Sequence, residues 1–545
     1  MIIDHLIAAP ILIPLFAGAI MLIVDGKRRY FQATIGAISA AALVVVAVML
    51  VVKANVPAGH ESSVGVYLLG DWPARFGIVL VLDRLSAMMV LLTAILGFAV
   101  LIFSLARCHG VGAHFHPLFQ FQLVGLNGAF LTGDLFNLFV FFEVLLAASY
   151  GLLLHGSGSA RVRAGLHYIA INLAASSLFL IGVSLIYSVT GSLNMADVAG
   201  KIPLLAVQDR VLLEAGAAVL GMAFLVKAGM WPLGLWVQKT YAAATPPVAA
   251  MFSIMTKVGV YAVLRLWLLM FGEQAGELAG FGNEWLFFGG MATILFGVTG
   301  VLASQDLARL AGACVLVSSG ILLTSIGIGQ AGVTGGALFY LVSSTLSIGA
   351  FFLLIELVER GREAGADVLA VTMEAFGGTE DEILDETEDV GFAIPATLAI
   401  LGSSFVACAL LIAGLPPLSG FVAKFALLTS LMNPSGLGGG GTMDVAGWLF
   451  FFLVIFSGLA ALVAMTRAGI RSFWLSLDRE VPRIGVIEMA PVAALLFFCI
   501  VLTVQAGPAM RYMQAAARSL HMPQDYITGV LSASHVKGQR GGGAP

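Results

Sequence analysis

Apolar runs of about twenty residues recur from one end of this chain to the other, each the length that crosses the hydrocarbon core of a bilayer as a helix. In hydrocarbon every backbone N–H and C=O must be satisfied within the protein, so such runs predict transmembrane helices. Composition agrees: of 545 residues, 59% are hydrophobic and 11% charged, against about 25% charged in soluble domains. A soluble enzyme is excluded, and a net charge of −4 is no nucleic-acid signature. The expected fold is an all-α polytopic membrane protein.

Apolar runs between charge clusters place fourteen spans, at 2–24, 31–52, 78–106, 117–133, 134–154, 164–190, 211–238, 246–271, 285–303, 311–330, 337–358, 393–432, 446–468 and 489–508. Lys27, Arg28 and Arg29 follow the first run instead of preceding it, so it reads as a transmembrane helix and not as a cleaved leader. Fourteen of the 27 Lys and Arg residues fall on one set of alternate loops and six, Arg265 among them, on the other. The positive-inside rule then puts both termini outside the cytoplasm. The inner loop 359–392 holds eight acidic residues between Glu374 and Asp389 with no base among them, the pattern of a solvated loop or of a docking site for a partner. Segments 436–441 and 541–545 are glycine-rich connectors. Cys108, Cys314, Cys408 and Cys499 lie far apart and read as small hydrophobes, with neither a metal site nor a disulfide framework expected.

Two spans are longer than a bilayer needs and are interrupted by proline, at Trp231-Pro232 and at Gly414-Leu415-Pro416-Pro417. Proline lacks an N–H and breaks a helix; paired broken helices in two halves mark transporters built from inverted repeats.

Glu143, Lys227, Lys257 and Lys424 each sit near the middle of an apolar span. A charge there costs about 2.5–3.5 kcal/mol on insertion scales. A carboxylate and an ammonium that restore each other's charged form suit proton transfer; static ion pairs gluing helices are the alternative. Asp134 reads as a helix cap or a proton-uptake residue, and His167 as a proton inlet on the inner face or an interfacial residue. Glu356 and Glu359 read as interfacial residues or as part of a pathway, Asp83-Arg84 as a local ion pair at the outer surface, and Tyr150, Trp231 and Trp267 as packing or interface aromatics. No Walker loop, dinucleotide fingerprint or HExxH spacing occurs, so no cofactor or metal is expected and the chain does not read as an ATP-driven pump.

The run Leu131-Thr-Gly-Asp-Leu-Phe-Asn-Leu-Phe-Val-Phe-Phe-Glu143, then Lys227-Ala-Gly-Met-Trp-Pro-Leu-Gly-Leu-Trp236, Thr256-Lys257-Val-Gly-Val-Tyr-Ala-Val-Leu-Arg265 and Gly414-Leu-Pro-Pro-Leu-Ser-Gly-Phe-Val-Ala-Lys424-Phe resemble the signature of the proton-conducting antiporter-like membrane subunits. Together with Gly165-Leu-His-Tyr-Ile-Ala-Ile-Asn172-Leu, they resemble within that family the D subunit of the Mrp (Pha) multisubunit cation/proton antiporters. The resemblance covers residues from about 75 to 470. It implies fourteen helices, inverted five-helix repeats at 117–271 and 285–468, three preceding helices in 1–116, a last helix at 489–508 and a tail at 509–545. It further implies broken helices seven and twelve, and a bacterial inner-membrane location in a hetero-oligomer. Carried over by position, Glu143 is the glutamate of helix five, Lys227 the lysine of helix seven, Lys257 that of helix eight and Lys424 that of helix twelve. Gly234 departs from a histidine common in relatives, Val237-Gln238-Lys239 from a Leu-Pro-Asp, and Ser343-Ser344 from another histidine, which leaves gaps in a side-chain relay for water to fill.

The function expected is a non-enzymatic transporter subunit that moves protons inward through Glu143, Lys227, Lys257 and Lys424 and helps drive Na⁺ or K⁺ outward. The alternatives are a proton-pumping subunit of a respiratory complex I-like or hydrogenase complex, and a scaffold with static buried pairs.

Overall fold

The computed structural model describes residues 5–24, 28–55, 64–75, 77–107, 114–156, 158–375, 396–433, 443–473 and 484–533, with backbone alone for 361–375. In chain order the helices are α1 (Ala9–Ile23), α2 (Arg29–Ala54), α3 (Arg84–Arg107), α4 (Phe115–Leu131), α5 (Leu135–Leu153), α6 (Ser159–Thr190), the short α7 (Met195–Lys201), α8 (Val207–Ala228), α9 (Leu235–Ala243), α10 (Pro246–Phe271) and α11 (Asn283–Ala303). They continue as α12 (Leu307–Ile328), α13 (Ala331–Ala375), α14 (Ala396–Ala413), α15 (Ser419–Met432), α16 (Val445–Phe473), α17 (Val486–Val504), α18 (Ala506–His521) and α19 (Gln524–Leu531).

Among the described residues twelve helices are long and apolar enough to cross a membrane. The helices at the first and fourth expected spans, α1 and α4, have 15 and 17 residues, so a count of fourteen is not reached by length alone. Both predicted breaks are present, α8 from α9 and α14 from α15, and Trp231-Pro232 and Pro416-Pro417 are cis.

Three helices form the centre: 94% of the apolar window of α10, 89% of that of α12 and 94% of that of α13 is buried. The outer helices α2, α14 and α17 are each 33% buried and turn apolar faces outward. Tight packing inside rests on glycine, which lets helix backbones approach where apolar surface alone gives no drive to associate. A Cβ on Gly290 of α11 would stand 2.4 Å from Thr324 Oγ1 of α12, and one on Gly320 of α12 would stand 2.8 Å from the Gly290 carbonyl.

The expected helical fold holds, with one small antiparallel hairpin of β1 (Gly65–Leu68) and β2 (Val79–Leu82), Gly65 opposite Leu82, added to it. Some particulars differ from expectation. The run expected to open the third span at residue 78 begins instead with β2, since Val79 to Leu82 is buried on both faces and so is apolar without being helical. The ion-pair partner of Asp83 is Arg265 and not its sequence neighbour Arg84. The Asp83 carboxylate accepts two hydrogen bonds from Arg265, at 2.6 and 2.7 Å, and Arg265, placed by the sequence in an outer loop, is buried in α10. The tail expected at 509–545 is helical and docked as far as it is described. α18 packs on α13 and α19 on α7 and β1, burying Met513, Leu520, Tyr526 and Val530. The segment read as the inner loop 359–392 is helical as far as Ala375, while its acidic residues from Glu380 onward, with 436–441, Cys108 and 541–545, lie outside the described residues. Cys314, Cys408 and Cys499 are buried free thiols.

Candidate functional site

The first break follows from glycine and proline acting together. α8 ends on Gly229 in the left-handed region (φ 76°), and Pro232 has no N–H for the carbonyl of residue 228. Gly234, read above as a departure from a histidine, has no room for a side chain, since a Cβ there would lie 2.0 Å from the Gly229 carbonyl oxygen. The backbone fold of the break therefore excludes the missing histidine.

Lys227 occupies the last turn of α8 and is 7% exposed. Its Nζ stands 5.1 Å over the Phe142 ring, a cation–π arrangement, and has no hydrogen-bond partner among the described residues. Glu143, next to Phe142 on α5, accepts a hydrogen bond from Ser176 of α6, and its charge acts on Lys227. Among the described residues no hydrogen bond joins Glu143 to Lys227. A cavity of ≈ 20 Å³ beside Lys227 is lined by Phe142, Tyr168, Asn172, Trp236 and Met255, room for one water.

Lys257 lies on α10 and is fully buried. Its ammonium donates to Ser318 Oγ at 2.8 Å and to Ser319 Oγ at 3.5 Å, both on α12. Ser318 Oγ is 3.0 Å from Ser344 Oγ of α13. Backbones meet here as well: a Cβ on Gly259 would lie 2.4 Å from the Ala228 nitrogen, so the helices carrying Lys227 and Lys257 touch main chain to main chain.

At the second break the ammonium of Lys424, on α15, donates to the Ala413 carbonyl at 2.9 Å and approaches that of Ile412 at 3.5 Å. A ≈ 20 Å³ cavity adjoins it, lined among others by Ser343, Ser344, Ser347, Ser457 and Tyr340. Ser343 Oγ lies 2.8 Å from Ser419 Oγ. From Lys257 through Ser318 and Ser344 to the cavity of Lys424, hydroxyls and one water-sized space thus bridge the place left by the second missing histidine.

The two further uptake candidates lie apart from this axis. Asp134 caps α5, accepting from Asn137 N–H at 2.8 Å; it stands nine residues, about 13 Å of helix, from Glu143. His167 lines an open cavity of ≈ 990 Å³ together with Arg163, Lys239, Asp306 and Arg309. Tyr168 and Trp236, which line the Lys227 cavity, have their rings 5.1 Å apart, with Tyr168 Oη 2.9 Å from Ser149 Oγ. Of the remaining sequence candidates, Glu356 pairs with Arg360 at 3.4 Å, and Trp267 donates to the Phe281 carbonyl at 2.6 Å.

Sequence reasoning passed over Ser176, Ser318 and Tyr168. An isolated serine in an apolar helix commonly bonds its own backbone, as Ser325 does to Ile321, so only spatial neighbours single out the useful ones. The adjacent pair Ser318-Ser319, level with Ser343-Ser344, was the available signal.

A family model described as "NADH:quinone oxidoreductase/Mrp antiporter, TM" matches residues 132–439, more than half of the chain. The chain is 58% identical over 536 residues to a protein of Rhizobium meliloti named as the probable D subunit of a K⁺/H⁺ antiporter, covering 98% of this chain and 99% of that one. It is 32% identical to the D subunit of the Na⁺/H⁺ antiporter of Alkalihalophilus pseudofirmus, covering 97% and 99%. Among solved structures it is similar to a chain of the Mrp complex from Dietzia, with a TM-score of 0.80 and 25% identity over 97% of this chain and 100% of the other. A chain of respiratory complex I from Thermus thermophilus shares the fold, at a TM-score of 0.73 and 21% identity over 97% and 100%. With a family match across its central helices and near end-to-end likeness to D subunits, the chain belongs to the NADH:quinone oxidoreductase/Mrp antiporter family, among the D subunits of its Mrp branch.

Proposed function

We propose that this chain is the proton-conducting subunit of a hetero-oligomeric monovalent cation/proton antiporter of the bacterial plasma membrane, working with partner subunits and not alone. Protons cross by way of Glu143, Lys227, Lys257 and Lys424, and their downhill inward flow helps drive K⁺ or Na⁺ outward. The observation that carries the reading is the hydrogen-bonded series from Lys257 through Ser318 to Ser344, which leads from the lysine packed against one broken helix to the cavity of the other. Hydroxyls both donate and accept, so such a series can pass a proton and reset. The domain boundaries at 116, 271, 285 and 468 and the termini outside the cytoplasm belong to the same reading.

The test uses everted vesicles bearing the whole complex and a ΔpH-quench assay of K⁺- and Na⁺-driven exchange. Glu143→Gln should abolish exchange by removing the ionisable partner of Lys227. The double change Glu143→Gln with Lys227→Met should assemble normally and stay inactive; recovery of exchange in it would assign these groups a structural role. Co-purification with iron–sulfur subunits would move the chain to a redox-driven complex.

A further inference from the structure

At one end of the bundle the basic side chains fall into two groups. Arg161 donates to the carbonyls of Ala243 and His155, each at 3.1 Å, and so ties the start of α6 to the end of α9. Arg467 donates to the carbonyls of Leu302 and Ser304 at 2.6 and 3.1 Å, and Arg471 to that of Gln305 at 2.9 Å, where α11 ends. These guanidiniums serve carbonyls that lie at or just beyond a helix end and lack a helical donor. Arg163 of α6 and Lys239 of α9, by contrast, make no ion pair or hydrogen bond among the described residues. The guanidinium of Arg309 on α12 has, among those residues, only Asp306 at 3.8 Å. Arg163, Lys239 and Arg309 all line the ≈ 990 Å³ vestibule that also holds His167.

The charge of this vestibule is one-sided. Three permanent cations face one carboxylate, and that carboxylate is already engaged, since Asp306 caps α12 by accepting from Ala308 N–H at 2.9 Å. Bases that only orient a chain in the membrane need no common target; these converge from three helices on one space. Its walls change character with depth. Arg163 and His167 stand four and eight residues inside the start of α6, about 6 and 12 Å of helix. Leu166, which lines the vestibule, is 64% exposed, and Leu173, two turns further on along the same face of α6, is 51% exposed. On α9 Leu235 is 53% exposed and lies one turn nearer the helix break than Lys239. Cations at the rim with bare leucines beneath them match a ligand that is anionic at one end and hydrocarbon at the other. An inorganic anion answers only the first half, and an acidic peptide has no acyl chain to lay along the leucines.

We infer that this vestibule binds the phosphodiester headgroup of an anionic phospholipid, with Arg163, Lys239 and Arg309 on the phosphate and an acyl chain along Leu166 and Leu173. Basic pockets between transmembrane helices suit such headgroups, and a guanidinium matches the spacing of phosphate oxygens. The lipid bridges α6, α9 and α12, three helices that no ion pair joins across this space among the described residues. The site makes no use of Glu143 or of the buried lysines, so its failure would leave the proton axis untouched.

The test titrates the purified whole complex, in a neutral detergent, with phosphatidylglycerol and counts bound lipid by native mass spectrometry, which separates this site from others on the complex and shows partner subunits in the same spectra. The wild-type complex should hold one phosphatidylglycerol more than the triple variant Arg163→Gln, Lys239→Gln, Arg309→Gln. Each single change should weaken that site about fivefold, and Arg28→Gln, at an exposed base outside the vestibule, should leave it unchanged. Phosphatidylcholine should not fill the site, and millimolar inorganic phosphate should not empty it. Equal lipid counts in the wild type and the triple variant, or an equal loss in Arg28→Gln, overturn the inference. Displacement of the lipid by inorganic phosphate would assign the vestibule to a free anion and overturn it too. So would loss of a partner subunit from the triple variant with its lipid count unchanged, which would assign the cations to an acidic surface of that partner.

Discussion

Breaking the Asp83–Arg265 pair from either side should destabilise the protein by several kcal/mol. The contact is bidentate, at 2.6 and 2.7 Å, with side-chain exposures of 9% and 7%. Two unit charges about 4 Å apart at an effective dielectric of 20 attract by about 4 kcal/mol, and removing one partner of a buried pair typically costs about 3–5 kcal/mol. Arg265 also lies over the rings of Tyr261 and Tyr526, at 5.7 and 5.1 Å, so loss of the carboxylate strands the guanidinium between aromatic faces. Asp83→Asn and Arg265→Met should each lower the folded-to-unfolded ratio by roughly two to three and a half orders of magnitude, and the double change should cost less than the sum by about 2 kcal/mol or more. The assay is thermal unfolding of the purified chain followed by a thiol-reactive dye, in a Cys108→Ser background, because Cys314, Cys408 and Cys499 are buried until the fold opens. Strict additivity of the two single changes would refute the coupling.

Acidification gives a second prediction. Burial holds the His521 imidazole below its ordinary range, opposed by Glu273, with Thr334 Oγ1 at 3.0 Å. The docked state thus disfavours the proton, so docking of α18 is fully stable above the ordinary value near 6.5 and weakens as pH falls below it. Hydrogen exchange across 506–521 should rise between pH 7.5 and 5.5, and His521→Gln should remove that pH dependence. Gly259→Ala should cost most of the assembled complex, since the new Cβ meets main chain at 2.4 Å and nothing flexible can yield; normal assembly would show that α8 and α10 stand further apart. Lys424→Ala should impair exchange more than Lys239→Ala, because Lys239 lines the open vestibule; equal loss would put Lys239 on the pathway. A tag after residue 533 should be labelled from outside the cell, and labelling only from the cytoplasm would invert the orientation.

The burial of Lys227, Lys257 and Lys424 was legible in the sequence because a charge amid twenty apolar residues has to be sheltered inside the protein. Helix breaks were legible for a similar reason, proline having no way to continue an α-helical ladder. Pairing was not. Asp83 sits beside Arg84 in sequence, yet its partner lies 182 residues away, and Asp83 also caps α3 through Ser86 N–H at 2.9 Å. The hairpin was hidden because Val79-Leu-Val-Leu82 is buried on both faces and merges with the apolar run of α3. The docked tail was missed because α18 is amphipathic, with Arg511 and Arg518 among its buried apolar positions, and a search for uniform apolar length passes over it.

The tail also bears on how the molecule is made. Tyr512 Oη donates to the Arg84 carbonyl at 2.8 Å, across 428 residues, and Tyr526 covers the guanidinium of Arg265. Those are among the last described residues to leave the ribosome, and they close over elements inserted far earlier. During synthesis the hairpin and the C-terminal end of α10 must wait, Arg265 already in place and its tyrosine lid not yet translated. Closing so long a loop carries a large entropic toll before any contact rewards it. The region around Asp83 is thus the natural point for an insertion factor or a partner to shield the nascent chain, and the place where a stalled or truncated product first betrays itself.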